Sequence, residues 1–475
     1  LSIPQLLNVT ANQKTGRSVF PRSAHLIGIG GAGMRSLAKA LHARGVAVSG
    51  SDLSSMEKLS DLSRLGMRVH DSHAEEFLGE PEVVVYSTAI PATNPEFAAA
   101  QARGIRIMHR AEMLAEFLRE HRSILIAGTH GKTTTTTLTA LLMEEGGLDP
   151  WAFVGGEVTE FGGNVRCGGM EWCVAEADES DGSFLLLPGQ HGIITNIESE
   201  HLSYWENDEK LFEGFLAFAS RFEPKKLVVC ANDEGVRTLL AEGRVNATTY
   251  GAMGSGCDFE FGDVDLSGTG SEFMLFHHGA PMMKVSIGIP GMHNVSNATG
   301  ALALAHTVGV DIVRAARSLA SFRGVGRRFT KYPLKNEVLL IDDYAHHATE
   351  VRATISAARL LAAERGGRLL AIFQPHRHSR TWHYRDLYAG ALSDADEIIL
   401  TEIYAAGEQP IGDFSGDVLA SMVRESNPDK TYFAALPTQA IERALELSNP
   451  RDIILVLGAG SITDEAKKLY HRMGG

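Results

Sequence analysis

The strongest constraint in this chain is an alternation that restarts three times. Short apolar runs without polar alternation are followed by stretches of helical character. The runs are His25–Gly28, Val46–Ser49, Val83–Tyr86, Ile124–Ala127, Cys173–Ala175, Ile193–Asn196, Leu227–Cys230, Val338–Ile341, Leu369–Phe373, Glu397–Leu400 and Ile453–Leu457. Runs rich in Val, Ile and Leu read as parallel strands buried on both faces. Helical stretches fall between several of them, at Gly33–Arg44, Thr133–Glu145, Lys210–Ser220, Ala348–Glu364 and Gln439–Leu447. Strands alternating with helices imply βαβ units and an α/β fold.

The 475 residues exceed one hydrophobic core; at roughly 150 residues per domain the expectation is about three domains. A strand, a glycine turn and a helix begin at Ala24 and again at Ile124, and a strand with an acidic exit begins at Val338. The expected division is a loose tail over 1–23 and domains over 24–123, 124–328 and 329–475. Residues 250–288, rich in Gly, Asp, Ser and Phe, read as an antiparallel excursion within the middle domain.

Net charge is −14, which argues against a general nucleic-acid binder. The charge is uneven: +2 over 1–123, −12 over 124–328 and −4 over 329–475. Cys167, Cys173, Cys230 and Cys257 form no disulfide framework and lack zinc-site spacing. A reducing cytoplasm is the expected location. No apolar run approaches a membrane span, and no signal peptide is read at the start.

The 49 glycines concentrate chemistry in two loops. Gly28-Ile29-Gly30-Gly31-Ala32-Gly33 matches G-x-G-x-x-G between strand and helix, and Asp52 ends the next strand. Small residues let the backbone approach a diphosphate, and the helix start supplies free N–H groups. On the motif alone a nicotinamide dinucleotide is the first reading, with Asp52 on a ribose. Other diphosphates need the same cradle, and a tight turn without ligand is the plain alternative. Ser87-Thr88-Ala89 is a second polar strand exit where ligands bind in open α/β sheets.

The second loop is Gly128-Thr129-His130-Gly131-Lys132-Thr133. The early glycine of the longer P-loop pattern is absent, yet the chemistry follows. Backbone N–H groups ring a phosphate, Lys132 neutralises phosphate oxygens, and the Thr133 hydroxyl suits Mg²⁺. Of the following threonines, only Thr134 is a further candidate; the others read as packing. Two acidic strand exits follow, Glu176-Ala-Asp178-Glu179-Ser180-Asp181 and Glu198-Ser199-Glu200-His201. Such clusters repel without a cation, although a solvated acidic loop is the bland alternative.

At this point the residues resemble the Mur ligase family, ATP-dependent ligases that build the peptide stem of bacterial peptidoglycan. Gly128–Thr137, Glu176–Asp181, Thr195–His201, Gly291–Asn297, Gly324–Phe329 and Asp342–His347 look like its landmarks in order. Gly28–Met34, Ser87–Pro91, Arg110–Leu114, Phe373–Thr381, Tyr404–Glu408 and Gly458–Gly460 are similar to the member that adds L-alanine to UDP-N-acetylmuramate. The resemblance implies three domains, Rossmann-like, P-loop ATPase-like and Rossmann-like. It implies UDP rather than NAD on the first loop, with Gly28, Gly30, Gly31, Gly33, Met34, Asp52, Ser87, Thr88, Arg110, Tyr344 and His346 serving the sugar nucleotide. For ATP it implies Gly128, Thr129, His130, Gly131, Lys132, Thr133, Thr134, His293, Asn294, Asn297, Arg327, Arg328, Asp342 and Asp343. Thr133, Glu176 and His201 match the metal positions, for Mg²⁺ with Mn²⁺ as a substitute. Lys132, His346, Arg377 and Arg380 match catalytic positions. His346 and His347 are candidate bases, although paired histidines also cap helices. UDP-N-acetylmuramate and L-alanine are the implied partners, with no nucleic acid, and the chain is expected to be a monomer or weak homodimer. Ala348 stands where the family usually has Pro, and Glu198 and Glu200 stand where it more often has Asp. A murein-peptide recycling ligase and a nicotinamide oxidoreductase are the alternatives.

Overall fold

The computed structural model describes residues 20–473. Residues 1–19 of the expected tail lie outside the described residues, and Ser23 already opens the first strand. The chain divides into two compact units. The first holds the residues up to 260 with 276–280 and 297–318; the second holds 261–275, 281–296 and 319 onward.

The first unit carries two sheets. The N-terminal sheet contains β1 (Ser23–Ile27), β2 (Ala47–Ser51), β3 (Arg68–His70), β4 (Val83–Tyr86) and β5 (Arg106–His109). The strands are parallel in the order β3-β2-β1-β4-β5. This is the order of a Rossmann half, and it reverses direction between β1 and β4. The carboxyl ends of β1 and β4 therefore open the crevice where ligands bind such sheets. Leu26, Leu37, Leu41, Leu59, Leu62 and Val85 fill the core on one face.

The second sheet of this unit contains β6 (Arg122–Ala127), β7 (Trp151–Val158), β8 (Gly163–Arg166), β9 (Trp172–Glu176), β10 (His191–Ile194), β11 (Leu227–Cys230) and β12 (Thr248–Ala252). Its order is β12-β11-β10-β6-β9-β7-β8, parallel except for β8. β6 is central and buried at five of six positions. The helix Lys132–Glu145 leaves its carboxyl end, and Thr134 to Thr137 are buried in that helix. The later threonines are therefore packing residues, as expected. Burial also explains why this helix shows little amphipathic period.

Strands β13 (Phe259–Leu266), β14 (Ser271–His277) and β15 (Ala280–Ile287) realise the expected excursion. His278 and Gly279 join β14 to β15 with φ of +50° and +76°. Two left-handed residues in a two-residue loop make an antiparallel hairpin.

The second unit contains β16 (Thr330–Pro333), β17 (Leu339–Asp343), β18 (Leu369–Phe373), β19 (Glu397–Leu400), β20 (Thr431–Phe433) and β21 (Ile453–Leu457). The order is β16-β17-β21-β18-β19-β20, parallel except for the antiparallel edge strand β16. Two apolar layers cover its faces, one built on Phe373, Tyr388 and Ile355, the other on Leu340, Ile441 and Ile462. After Phe373 the basic segment that carries Arg377 and Arg380 runs into a helix at His378–Leu392. Tyr384 is in its core, whereas Trp382 is exposed and meets Phe414 edge-on.

Candidate active site

The P-loop is held open by its neighbour strand exit. The Thr129 amide donates to the Asn196 carbonyl at 3.1 Å and the His130 amide to Asn196 Oδ1 at 2.7 Å. Thr195 Oγ1 and Asn196 Nδ2 both donate to the His130 carbonyl, at 2.6 and 3.0 Å. Thr129 Oγ1 accepts from the Glu198 amide at 2.9 Å. Gly128 has φ +130°, and a Cβ there would lie 2.0 Å from Thr195 Oγ1. Gly131 caps the helix with φ +80°, and a Cβ would lie 2.6 Å from Asn297 Oδ1. Both glycines are thus required twice, by backbone conformation and by space. Gly128→Ala should lower ATP affinity at least about tenfold and lower Tm by several degrees. Nucleotide titration and a melting curve of the variant check this; unchanged values in both would refute the clamp.

Lys132 Nζ donates to the Gly128 carbonyl at 2.6 Å, the Thr129 carbonyl at 3.1 Å and Glu179 Oε2 at 2.7 Å. Burial works against the ammonium, but Glu179 and Asp178 hold its pKa above the usual lysine value. Burial pushes the Glu179 carboxyl up to about 7 despite Lys132. Thr133 Oγ1 donates to Glu176 Oε2 at 3.3 Å, and the Gly155 amide donates to Glu176 Oε1 at 2.5 Å. Burial also raises the Glu176 pKa. Asp178 is held low against its burial, chiefly by Lys132 and the Ser180 amide.

Thr133 and Glu176 are therefore adjacent, as the metal reading requires. His201 sits elsewhere in the cluster, with ligand atoms close to those of Asp178 and Glu179, and its Nε2 is 3.8 Å from Glu179 Oε1. It adopts the left-handed conformation, φ +56°. Glu179 Oε1 is buried with no hydrogen-bond donor among the described residues. Hard oxygens with one imidazole fit Mg²⁺ or Mn²⁺.

In the N-terminal sheet, most of the glycine-loop amides are already used. Gly28 and Ile29 N–H both donate to the Ser51 carbonyl, at 2.8 and 3.0 Å, Gly30 N–H to Asp52 Oδ2 at 2.9 Å and Gly31 N–H to the Gly28 carbonyl at 3.2 Å. The first-turn amides of Ala32, Gly33 and Met34 have no intrahelical acceptor and are the ones suited to a phosphate. Met34 departs from the expected sugar contact: its side chain is 2% exposed in the core, so only its amide can serve. Asp52 accepts from the Gly30 and Ser54 amides, one on each oxygen. It clamps the loop. Ser87 approaches Gly28 from β4, and the Arg110 guanidinium covers Gly33, where a Cβ would lie 2.7 Å from it. Thr88 Oγ1 donates to Asp181 Oδ2 at 3.0 Å.

In the second unit, Arg327 and Arg328 pack on Tyr344 at 4.6 and 5.2 Å. Arg327 donates to the Gly458 carbonyl and Thr463 Oγ1, and Thr463 donates to Asp342 Oδ1. Asp342 Oδ2 is buried without a donor among the described residues, which leaves it suited to a ligand hydroxyl. Asp343 is buried, and its oxygens accept from the Phe329 and Ala345 amides. His293 is exposed beside Arg328, whose charge works against its protonation, whereas Asn294 is buried and donates to the Pro290 carbonyl. Of these three ATP candidates, Asn297 lies on the P-loop, while His293 and Asn294 belong to the second unit.

His346 Nδ1 lies 2.8 Å from the Tyr344 carbonyl, so the neutral ring carries its acceptor lone pair on Nε2. His347 caps the helix Ala348–Arg365 through Nδ1, with Glu350 reaching back. Arg380 is buried and bonds His376 at 3.1 Å; Arg377 pairs with Glu408 at 3.5 Å. Burial, Arg380 and Arg377 together lower the His376 pKa to about 4.

Three family models match the chain in succession: "Mur ligase family, catalytic domain" over 23–122, "Mur ligase middle domain" over 126–305 and "Mur ligase, glutamate ligase domain" over 327–460. The chain belongs to the Mur ligase family. A UDP-N-acetylmuramate–L-alanine ligase of Pelotomaculum thermopropionicum is 39% identical, over 95% of this chain and 98% of its own. The crystal structure of UDP-N-acetylmuramate–alanine ligase from Thermotoga maritima superposes with a TM-score of 0.80 and 27% identity, covering 95% and 98%. A murein peptide ligase of Psychrobacter arcticus shares the fold, with a TM-score of 0.70, 22% identity and coverage of 95% and 99%.

Within this Mur ligase, the sequence reading missed Asn196 and Thr195 as loop clamps and Glu179 as the Lys132 partner. All lie at carboxyl ends of strands flanking β6, and that position was their only sequence signal.

Proposed function

We propose that this chain is an ATP-dependent ligase that joins L-alanine to the lactyl carboxylate of UDP-N-acetylmuramate. The carrying observation is the near full-length similarity to ligases of that name, on a chain whose Lys132, Thr133 and Glu176 form a nucleotide and metal cradle. The muramyl carboxylate attacks the γ-phosphate of ATP, ADP leaves, and an acyl phosphate forms. The alanine amine then attacks the acyl carbon, phosphate leaves, and an amide remains. Both early partners are anionic, so charge must be neutralised by preorganised groups. Lys132 supplies one cation by leaving Glu179 for the phosphates. Thr133 and Glu176 would hold Mg²⁺, with His201, Asp178 and Glu179 as the adjoining group. Bound Mg²⁺ supplies Lewis-acid stabilisation of phosphoryl oxygens.

The Ala32–Met34 amides, Arg110 and Ser87 are assigned to the diphosphate of the sugar nucleotide. Arg327, Arg328 and Asp342 are assigned to ATP, and Tyr344, Arg377 and Arg380 to the muramyl and alanine carboxylates. His346 Nε2 is assigned as acceptor of the amine proton. No helix among the described residues is long and apolar enough to cross a membrane, and all four cysteines are free; we place the reaction in the cytoplasm, on a monomer or weak homodimer.

Phosphate release is measured with ATP, Mg²⁺ and UDP-N-acetylmuramate, with L-alanine compared against other amino acids and the murein tripeptide. Release dependent on L-alanine is expected. Release dependent only on tripeptide would assign the recycling reaction instead, and none with any amine would end the ligase reading.

A further inference from the structure

A buried polar cluster in the N-terminal sheet is unused by the chemistry above. Glu96 opens the helix Pro95–Ala102, and its side chain is fully buried, as is that of His25 on β1. Glu96 Oε1 lies 3.3 Å from His25 Nε2. Its Oε2 accepts from Ser51 Oγ and lies 3.2 Å from His73 Nδ1. His73 Nδ1 also lies 2.8 Å from Ser51 Oγ, and His25 Nδ1 is 2.9 Å from Ser49 Oγ. Two imidazoles and a hydroxyl thus converge on one carboxylate inside a hydrophobic domain. Isolated burial of that carboxylate would be expensive, so the cluster holds together as a unit.

Ser51 links this cluster to the glycine loop. Its carbonyl receives both the Gly28 and Ile29 amides, and the next residue, Asp52, receives Gly30. Gly50 admits no side chain, because a Cβ would lie 2.5 Å from the Leu26 carbonyl and 2.7 Å from Ile29 Cδ1. The β2 exit is therefore fixed below by Glu96 and carries the loop above. A shift of Ser51 moves three loop amides and the start of the helix Ala32–Ala43.

We infer that Glu96 is a positioning residue for the diphosphate cradle, acting through Ser51 on the Gly28–Gly31 loop. The inference rests on the sugar-nucleotide reading of that loop. Glu96 touches no substrate; it sets where the Ala32–Met34 amides stand. A residue that only stabilised the fold would change Tm and, through the active fraction, apparent kcat, while leaving every KM in place. A positioning residue raises one KM selectively.

The test uses the full chain. UDP is titrated into wild type, Glu96→Gln and Ser51→Ala by calorimetry, and steady-state constants are measured for all three substrates. Glu96→Gln keeps the volume and removes the charge. It should weaken UDP binding and raise KM for UDP-N-acetylmuramate about tenfold, with kcat and KM for ATP and L-alanine within about twofold. Ser51→Ala should move the same two constants, and the double variant should lose clearly less than the sum of the two, because both break one path. Should Glu96→Gln fail to fold, Ser51→Ala carries the comparison alone. Variants that bind UDP like wild type, or that lose only Tm and apparent kcat, overturn the inference while leaving the sugar-nucleotide reading intact. Wild type that binds no UDP overturns that reading and the inference with it.

Discussion

Lys132→Ala is expected to reduce ATP-dependent phosphate release about 10³-fold or more. Its ammonium is the cation most directly placed on the P-loop, bonded to two loop carbonyls and to Glu179. Phosphate release under saturating substrates measures the loss. Turnover within about twofold of wild type would falsify the P-loop assignment. The fold should survive. Removing the lysine leaves Glu179 without its cation, and an uncompensated buried charge is ordinarily costly. Glu179 titrates near 7 already, so without Lys132 it takes up a proton instead. A modest fall in Tm beside the large kinetic loss separates chemistry from folding. The raised pKa has its own sign in stability. Folded Glu179 holds its proton to higher pH than the unfolded chain, so its contribution declines as pH rises from about 4.5 to 7.

Glu176→Gln and His201→Ala should each raise the Mg²⁺ concentration for half-maximal activity about tenfold or more. Glu176 brings a charged oxygen beside Thr133 Oγ1, whereas glutamine keeps the acceptor for Gly155 and loses the charge. His201 acts from the Asp178 and Glu179 side. Separate positions predict that the two effects combine nearly additively in the double variant. Because burial raises the Glu176 pKa, the wild-type Mg²⁺ requirement should grow as pH falls through that raised value, where protons compete with metal. An unchanged Mg²⁺ titration in both single variants removes these residues from the metal site.

Most of the site's ingredients are legible in the chain, but not their division of labour. Glycines, Lys132 and Thr133 announce themselves because an anion cradle needs that order of residues along a few peptide units. Glu176 and His201 were found from strand-end acidity and resemblance. Their separation into a Thr133–Glu176 pair and an Asp178–Glu179–His201 group was hidden, because it depends on how the chain turns just after β9 and on where the β10 exit brings His201. The strands with short or polar text were missed for a related reason. β3, β5, β8, β16 and β20 are edge or near-edge strands, only partly buried, and carry too little apolar pattern to be read. The helix His378–Leu392 was hidden by its basic first turn.

The sequence by itself determined the α/β class, the two phosphate loops and the acidic middle domain, because those follow from local periodicity and local backbone chemistry. Only the tertiary structure decided what each polar group is spent on. Asp52 and Asp343 read as ligand contacts, and their oxygens also hold backbone amides that shape the neighbouring turns. Met34 reads as a contact, yet the core consumes its side chain. Glu96 lies in no sequence motif, yet it is fully buried beside Ser51, His25 and His73. A polar atom in a fold must find its partner among neighbours distant in sequence, and parallel strands bring those neighbours together only once the sheet order is set.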